Sequence, residues 1–401
     1  MTAAFFIWGN NMRILLFNLF LLVFLHQAAV AENVTCDFGT VKFLSDYPTA
    51  RLNGCEEKSG NYHLYISPEV KPVNPSPWYG FKVVSDKKKT INVYLNYTYS
   101  KHRYWPKVSR DGLRWHTLEA RKIKKYRKGR KVRLRLSVDK KPLWISAQEI
   151  LNNQQYDLWN RHMARKDFVN LYILGKSVQG RPIYKLETTG KWDRGKPANV
   201  VLVGRQHPPE VTGALAMMPF VETILSDSIL ARRFRQAFRI IIVPNLNPDG
   251  VAGGNWRTNA NGVDLNRDWG PFTQPETQLM RAELDRFRDD KDGKLRFMLD
   301  FHSTYENLIY TQSRDDSLYS ANFALHWYDA IKKRLPDISF EHEPRHNTKL
   351  PTSKGYVYKT FGVPAITYEM GDKADRMKIR ELAIVSAEEM MKTLLMTSEK
   401  Q

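Results

Sequence analysis

The sequence predicts two folded units, an all-β sandwich followed by an α/β domain whose mixed, mostly parallel sheet is flanked by helices. Three observations predict this. Residues 36–138 alternate apolar and polar positions at the strand period, with no helical periodicity. Beyond residue 146, short apolar runs alternate with helical segments, the pattern of strands buried on both faces. The change falls at Asp139-Lys140-Lys141-Pro142. With 401 residues, 42% of them apolar, the chain is long enough to bury two cores.

Taken in order, the chain opens with Arg13, the apolar run Ile14 to Leu25 and the small-x-small tripeptide Ala29-Val30-Ala31. These are the parts of a secretory signal cut after Ala31. Twelve residues are short for crossing a bilayer. The expectation is an exported chain, periplasmic in a Gram-negative source, with no transmembrane helix once the signal is removed. Cys36 and Cys55 are the only cysteines, and an oxidising compartment favours a disulfide between them. With no others, a cysteine-rich metal site is excluded.

Ile91, Val93, Leu95 and Tyr97 mark a half-buried strand, Asp111-Gly112 a turn before Leu113 to Leu118, and Lys128-Gly129 a hairpin tip. Val132, Leu134, Leu136 and Val138 alternate with Lys131, Arg133, Arg135 and Ser137, a strand with its basic side in water. This strand ends a run, Arg121 to Arg135, in which ten of fifteen residues are Lys or Arg, within a chain of net charge +20. Such a field attracts anions. Export argues against nucleic acid and leaves an anionic envelope surface or acidic peptides; the plain alternative is a solvated basic face.

Past Pro142, Ser146-Ala147-Gln148-Glu149 fits a capping box opening a helix towards His162. Strands follow at Asn199 to Val203, Phe238 to Pro244, Leu295 to Phe301 and Ala365 to Glu369. Helices are predicted at Val211 to Leu225, Gln274 to Arg288, Tyr319 to Arg334 and Asp375 to Met396. In such sheets functional groups gather beyond the carboxyl ends of the strands.

Four groups of residues lie there. His207 and Glu210, three apart at a strand-to-helix turn, can face one ion, and nitrogen plus oxygen ligands suit zinc. His302 closes an apolar strand, with Asp300 two residues earlier either orienting a ligand or ending the strand. Arg257 and Arg267 lie in a long Asn/Gly-rich loop, where guanidinium forks recognise carboxylates and oxyanions. Glu369 ends a buried strand, and a carboxylate beside a metal can take a proton from water. Singly, each also reads as a solvated loop pair, a core histidine, surface arginines or a strand-end charge, and for the His207–Glu210 pair and the lone His302 that plain reading is the commoner one.

The ordered set is more telling. His-x-x-Glu, then Arg257, then Gly262-Val263-Asp264-x-Asn266-Arg267, then a strand-end His and a strand-end Glu resembles the zinc carboxypeptidase (M14-type) family over most of residues 150–398. Pro77-Trp78-Tyr79-Gly80-Phe81, Leu95-Asn96-Tyr97 and the stretch from His102 to Gly112 resemble the N-terminal domain of cytosolic-carboxypeptidase-like enzymes, a branch that contains deglutamylases. Its members are mostly cytosolic, so the signal segment departs from that pattern. The expected organisation is a signal peptide over 1–31, a β-sandwich over 32–145 and a carboxypeptidase catalytic domain over 146–398.

The resemblance implies one Zn2+ per chain, held by His207, Glu210 and His302 with a fourth position for water. It implies that Asp264 braces His207, Arg257 stabilises the oxyanion, Asn266 and Arg267 bind the terminal carboxylate, and Glu369 is the general base. The tyrosine that closes over substrate has no clear counterpart among His346, Tyr356 and Tyr358. Substrates would be peptide or protein C-termini, with an acidic preference suggested by the basic balance and by Arg345, Lys349 and Lys354. The alternatives are a zinc deacylase or amidase and a non-catalytic envelope-binding module; Glu369 argues against the latter, since a binder needs no base. Asn33-Val34-Thr35 and Asn96-Tyr97-Thr98 are glycosylation sites only in a eukaryotic secretory pathway.

Overall fold

The computed structural model describes residues 34–398 except 191, 193, 194, 290, 291, 314–317 and 346–348, and leaves out the side chains of 318–321 and 398. The predicted signal segment, Asn33 and His346 lie outside the described residues.

The N-terminal region is all-β. Six strands run in the order Thr35–Asp37, Val41–Leu44, Gly80–Ser85, Leu143–Ser146, Lys107–Ser109, His116–Thr117. A second sheet of five runs Gly54–Lys58, Asn61–Ile66, Lys89–Tyr97, Lys131–Val138, Ile123–Tyr126. Pairing is antiparallel apart from Asn61–Ile66 against Lys89–Tyr97, which is parallel. Alternate residues from both sheets, Phe43, Phe81 and Ile145 from one and Leu64, Leu95 and Leu134 from the other, share one core. Cys36 and Cys55 are bridged, with their Cα atoms 6.2 Å apart, and tie the edge strands of the two sheets together. The expected basic hairpin is present, turning at Lys128 and Gly129, both in the left-handed region.

Two local readings are corrected. Leu113 to Leu118 forms only the short strand His116–Thr117. The helix expected from Ser146 begins instead at Asn153, where Asn152 and Gln155 make the capping box. Leu143–Ser146 is committed to the sheet, paired with Gly80–Ser85, and the ladder overrides the local cap signal. Glu149 instead accepts from Arg376 at 2.8 Å.

The second region is an eight-stranded sheet in the order Val169–Lys176, Pro182–Thr188, Phe238–Val243, Ala198–Gly204, Leu295–Thr304, Ala365–Gly371, Leu308–Tyr310, Glu341–Glu343. The four central strands are mutually parallel and nearly all buried. Val200 and Leu202 point to one face, which is covered by Val211–Ile224, Ile229–Ala237, Leu318–Arg334 and Arg376–Ser398. Val201 and Val203 point to the other, covered by Pro275–Asp285 and Ser353–Phe361. No single helix among the described residues is long and apolar enough to cross a membrane.

Helix Val211–Ile224 lies directly on the Leu295–Thr304 strand. A Cβ at Gly213 would stand 2.3 Å from the His302 carbonyl oxygen, so only glycine permits this approach.

Candidate metal centre

The site is built where the central strands end. After Ala198–Gly204 the chain turns through Arg205, a non-glycine residue at φ 53°. Its buried guanidinium holds the turn by donating to the Pro208 carbonyl at 2.8 Å and the Tyr156 hydroxyl at 3.2 Å. The turn delivers His207, and Glu210 immediately before helix Val211–Ile224, where the helix dipole favours a carboxylate. His302 lies within Leu295–Thr304, which continues two residues past it, and stands in register with Glu369 on the neighbouring parallel strand.

Ligand atoms of His207, Glu210 and His302 lie within 4.8 Å of one another, and all three residues are buried. His207 Nδ1 is 2.9 Å from Glu210 Oε1, His302 Nδ1 is 2.7 Å from Glu210 Oε2, and the two Nδ1 atoms are 3.2 Å apart. The outer nitrogens are taken by other carboxylates, His207 Nε2 by Asp264 at 2.9 Å and His302 Nε2 by Asp300 at 2.8 Å. Asp300 also accepts from Gln206 at 2.5 Å and from the Ser353 hydroxyl. Its place is therefore that of an orienting carboxylate, not of a strand terminator.

In the tautomer that donates both Nε2–H groups outward to Asp264 and Asp300, both Nδ1 lone pairs and the Glu210 carboxylate converge on one point. Such a set repels itself unless a cation sits among it. A tetrahedral zinc with bonds of roughly 2.0–2.1 Å puts its ligand atoms about 3.3 Å apart, close to these separations. Carboxylates behind both imidazoles are the outer shell that zinc-binding histidines use. The residues fit the ion.

The surrounding carboxylates favour positive charge at this point, carried by protons on the imidazoles when no metal ion is bound. Burial alone would raise the Glu210 carboxyl, but the two imidazoles overcome it and hold it well below the usual range. Burial likewise opposes the charge on His302, yet Asp300 and Glu210 push its pKa well up. Asp264 is held low, against burial, by His207 and Arg257. Glu369 is the exception. Burial pushes it to about 8, with His302 and Arg257 pulling down and Glu210 and Asp300 pushing up. Among the described residues its Oε2 has no hydrogen-bond partner, which leaves a carboxyl oxygen uncommitted beside the convergent ligands.

Arg257 is buried; its Nε donates to Asp264 at 2.6 Å and its Nη1 lies 3.9 Å from Glu210. Asn266 is buried as well, accepting from the Ser353 N–H at 2.9 Å, with its Nδ2 3.4 Å from His302 Nε2. Arg267 is exposed and donates to the Asn266 carbonyl at 2.7 Å. Of the three suggested specificity cations, Lys354 is turned inward, donating to the carbonyls of Thr311 and Arg345, and burial lowers it to about 8. Arg345 is exposed and paired with Glu343 at 3.1 Å, and Lys349 is exposed. Tyr356 packs on Trp269 and Phe272 and hydrogen-bonds Arg288, and Tyr358 packs beside the same cluster. Sequence reasoning missed Gln206 and Ser353, whose polarity alone carried no signal of where they would converge.

A family model described as zinc carboxypeptidase matches residues 156–393. An uncharacterised protein of Zymomonas mobilis is 30% identical over 258 residues, 61% of this chain and 63% of that one. Mouse cytosolic carboxypeptidase 6 is 25% identical over 302 residues, 66% of this chain and 53% of that one. The chain thus spans less than two thirds of the length of these curated relatives. Among solved structures, a metallo-carboxypeptidase from Burkholderia cenocepacia superposes with a TM-score of 0.75 at 20% identity. It covers 90% of this chain and 99% of its own, a likeness of fold that includes the β region.

Proposed function

The chain belongs to the zinc carboxypeptidase family, and we propose that it is a metallocarboxypeptidase that hydrolyses the C-terminal peptide bond of peptides, with one zinc held by His207, Glu210 and His302. The observation that carries this reading is the convergence of those three ligand atoms beside a carboxylate, Glu369, with an uncommitted oxygen. Bound there, zinc supplies a Lewis acid that acidifies water and polarises the scissile carbonyl. Glu369 takes the proton of the attacking water and returns it to the departing amine. Arg257 donates to the oxyanion, a role worth about 3–4 kcal/mol for one good donor. Asn266 and Arg267 bind the terminal carboxylate, which confines cleavage to the chain end.

Two finer points belong to the same proposal. The substrate is acidic: a cleft of about 820 Å³ runs between the β region and the loops that follow the His302 and Glu369 strands. Lys101, Lys125, Arg130 and Lys373 line it with no ion pair among the described residues, together with Arg103, paired with Asp372, and Glu306, so that cations outnumber carboxylates there. The enzyme acts outside the cytoplasm, supported by the N-terminal apolar segment and by the Cys36–Cys55 bridge.

The test is release of amino acids from N-blocked dipeptides ending in Glu, Lys or Phe, with zinc measured on the same samples. Glu369→Gln should lose about 10³-fold in kcat while keeping one zinc per chain. Loss of zinc in that variant would make Glu369 structural, and zinc binding without hydrolysis by the wild type would favour a binding module. Equal rates on the three dipeptides would remove the acidic preference.

A further inference from the structure

We propose that Glu69, in the all-β region, is a positioning residue for the reaction, setting Arg257 from behind so that the β region forms part of the active site. This rests on the reading of Arg257 as the oxyanion donor.

The Glu69 side chain is 7% exposed and accepts four hydrogen bonds from three successive residues of the loop. Oε2 takes the Trp256 N–H at 2.7 Å, and Oε1 takes the N–H groups of Arg257 and Thr258 at 3.0 and 2.9 Å. The Thr258 hydroxyl completes the set at 2.8 Å. Consecutive backbone N–H groups aimed at one anion form a nest, and here the anion comes from a partner 188 residues away in sequence. Arg257 is the middle residue of the clamped tripeptide.

The same region holds the loop at a second point. Arg51 donates to the carbonyls of Gly253 and Gly254 at 3.2 and 3.1 Å and to Asn255 Oδ1 at 3.3 Å. Its own guanidinium is fixed by the Ser67 carbonyl at 2.8 Å, two residues before Glu69. Gly254 permits the approach: it sits at φ 58°, and a Cβ there would stand 2.7 Å from the Ala50 carbonyl oxygen. Trp256 is wholly buried in the β-region core and donates to the Trp78 carbonyl at 3.1 Å.

With the backbone at 257 fixed from one side, the side chain meets Asp264 on the other, and Asp264 in turn holds His207. Glu69 touches neither the metal ligands nor any reacting atom. Its effect on the reaction passes through the guanidinium of Arg257. Displacing such a donor by about 1 Å costs up to about 100-fold in rate.

The experiment uses the full mature zinc-loaded chain and the fastest of the three dipeptides, comparing Glu69→Gln, Glu69→Ala, Arg257→Ala and the double variant Glu69→Ala/Arg257→Ala. Glu69→Ala should lower kcat about 10- to 100-fold with KM within about twofold and zinc content unchanged. Glu69→Gln keeps the shape, secures a folded comparison if the alanine variant unfolds, and should lose less, because its amide turns a donor towards one of the loop N–H groups. The double variant should be no slower than Arg257→Ala alone. Folded Glu69 variants with wild-type kcat, or losses that multiply in the double variant, would overturn the role of Glu69. A zinc-loaded wild type that hydrolyses none of the dipeptides, or an Arg257→Ala enzyme with full kcat, overturns the premise and this inference with it, a result told apart by needing no Glu69 variant.

Discussion

The two halves of the site are held by different means. His302 and Glu369 stand opposite each other on paired parallel strands, their backbones committed to the ladder and the His302 strand pressed by helix Val211–Ile224. Arg257, Asp264, Asn266 and Arg267 come instead from residues 245–274, where regular structure amounts to the five-residue helix Pro248–Ala252 and the three-residue turn Leu265–Arg267. Buried side chains there replace the missing ladder. Asn259 accepts from the N–H groups of Asn261 and Val263, both at 3.1 Å, while Asp268 accepts from those of Thr273 and Gln274 at 3.0 and 2.9 Å. The strand half is therefore vulnerable to added volume and the loop half to lost acceptors.

Gly213→Ala attacks the strand half by volume. Its methyl group would meet the His302 carbonyl carbon at 2.7 Å and the nitrogen at 3.0 Å as well as the oxygen, all of them backbone atoms that cannot swing aside. Helix and strand must part, taking Glu210 away from His302. We expect a loss of about 3 kcal/mol in stability and substoichiometric zinc, read by thermal denaturation and metal analysis. A variant that melts with the wild type and carries full zinc would show that the helix–strand contact does not set the ligand geometry.

Asp264→Asn attacks the loop half by charge at nearly constant volume. The amide can present an oxygen to either His207 or Arg257 but not to both, and the carboxylate that Arg257 faces is gone. Zinc affinity should fall about 10- to 100-fold in a chelator competition, with kcat reduced through Arg257 and the melting temperature shifted far less than by Gly213→Ala. Unchanged affinity would mean that His207 is held by its turn alone.

This contrast also explains how much was legible in the amino-acid sequence. Phe238–Val243 is buried at every position and announces itself as an apolar run. Val169–Lys176 was missed because it is an edge strand with an irregular burial pattern, a register shift after Ile173 and exposed Ile173. The cap expected at Ser146 failed because sheet pairing is non-local. In the site, His207, Glu210, His302 and Glu369 could be found because each lies at or just beyond the carboxyl-end half of a buried apolar run, although the strands of His302 and Glu369 each continue two residues past them, to Thr304 and Gly371. Glu69 could not: it is a lone carboxylate in a Ser-Pro-Glu turn until folding brings it to residues 256–258. Lys354 misled for the opposite reason, since a lysine just before the Glu369 strand reads as a free cation while its ammonium in fact satisfies two carbonyls.

The smallest effect sharpens the comparison most. Glu276 is wholly buried beneath the loop and accepts from Asn259 Nδ2 at 3.1 Å, so it supports the residue that organises positions 259–263. Burial raises its pKa above the ordinary 4.5, and the nearby Asp249 adds to the rise, although the hydrogen bonds it accepts pull the other way. The folded chain therefore keeps a proton there that the unfolded chain has already released. Stability from this group is present below about 4.5 and is lost as the pH rises through the folded value, at no more than about 1.4 kcal/mol per pH unit. Glu276→Gln mimics the protonated acid, keeps an acceptor for Asn259 and does not titrate. Its melting temperature should match the wild type at low pH and exceed it slightly at neutral pH, with zinc content and kcat unchanged. A variant that instead loses kcat at neutral pH would mean that the loop half requires the charge of Glu276 and not merely its acceptor oxygen.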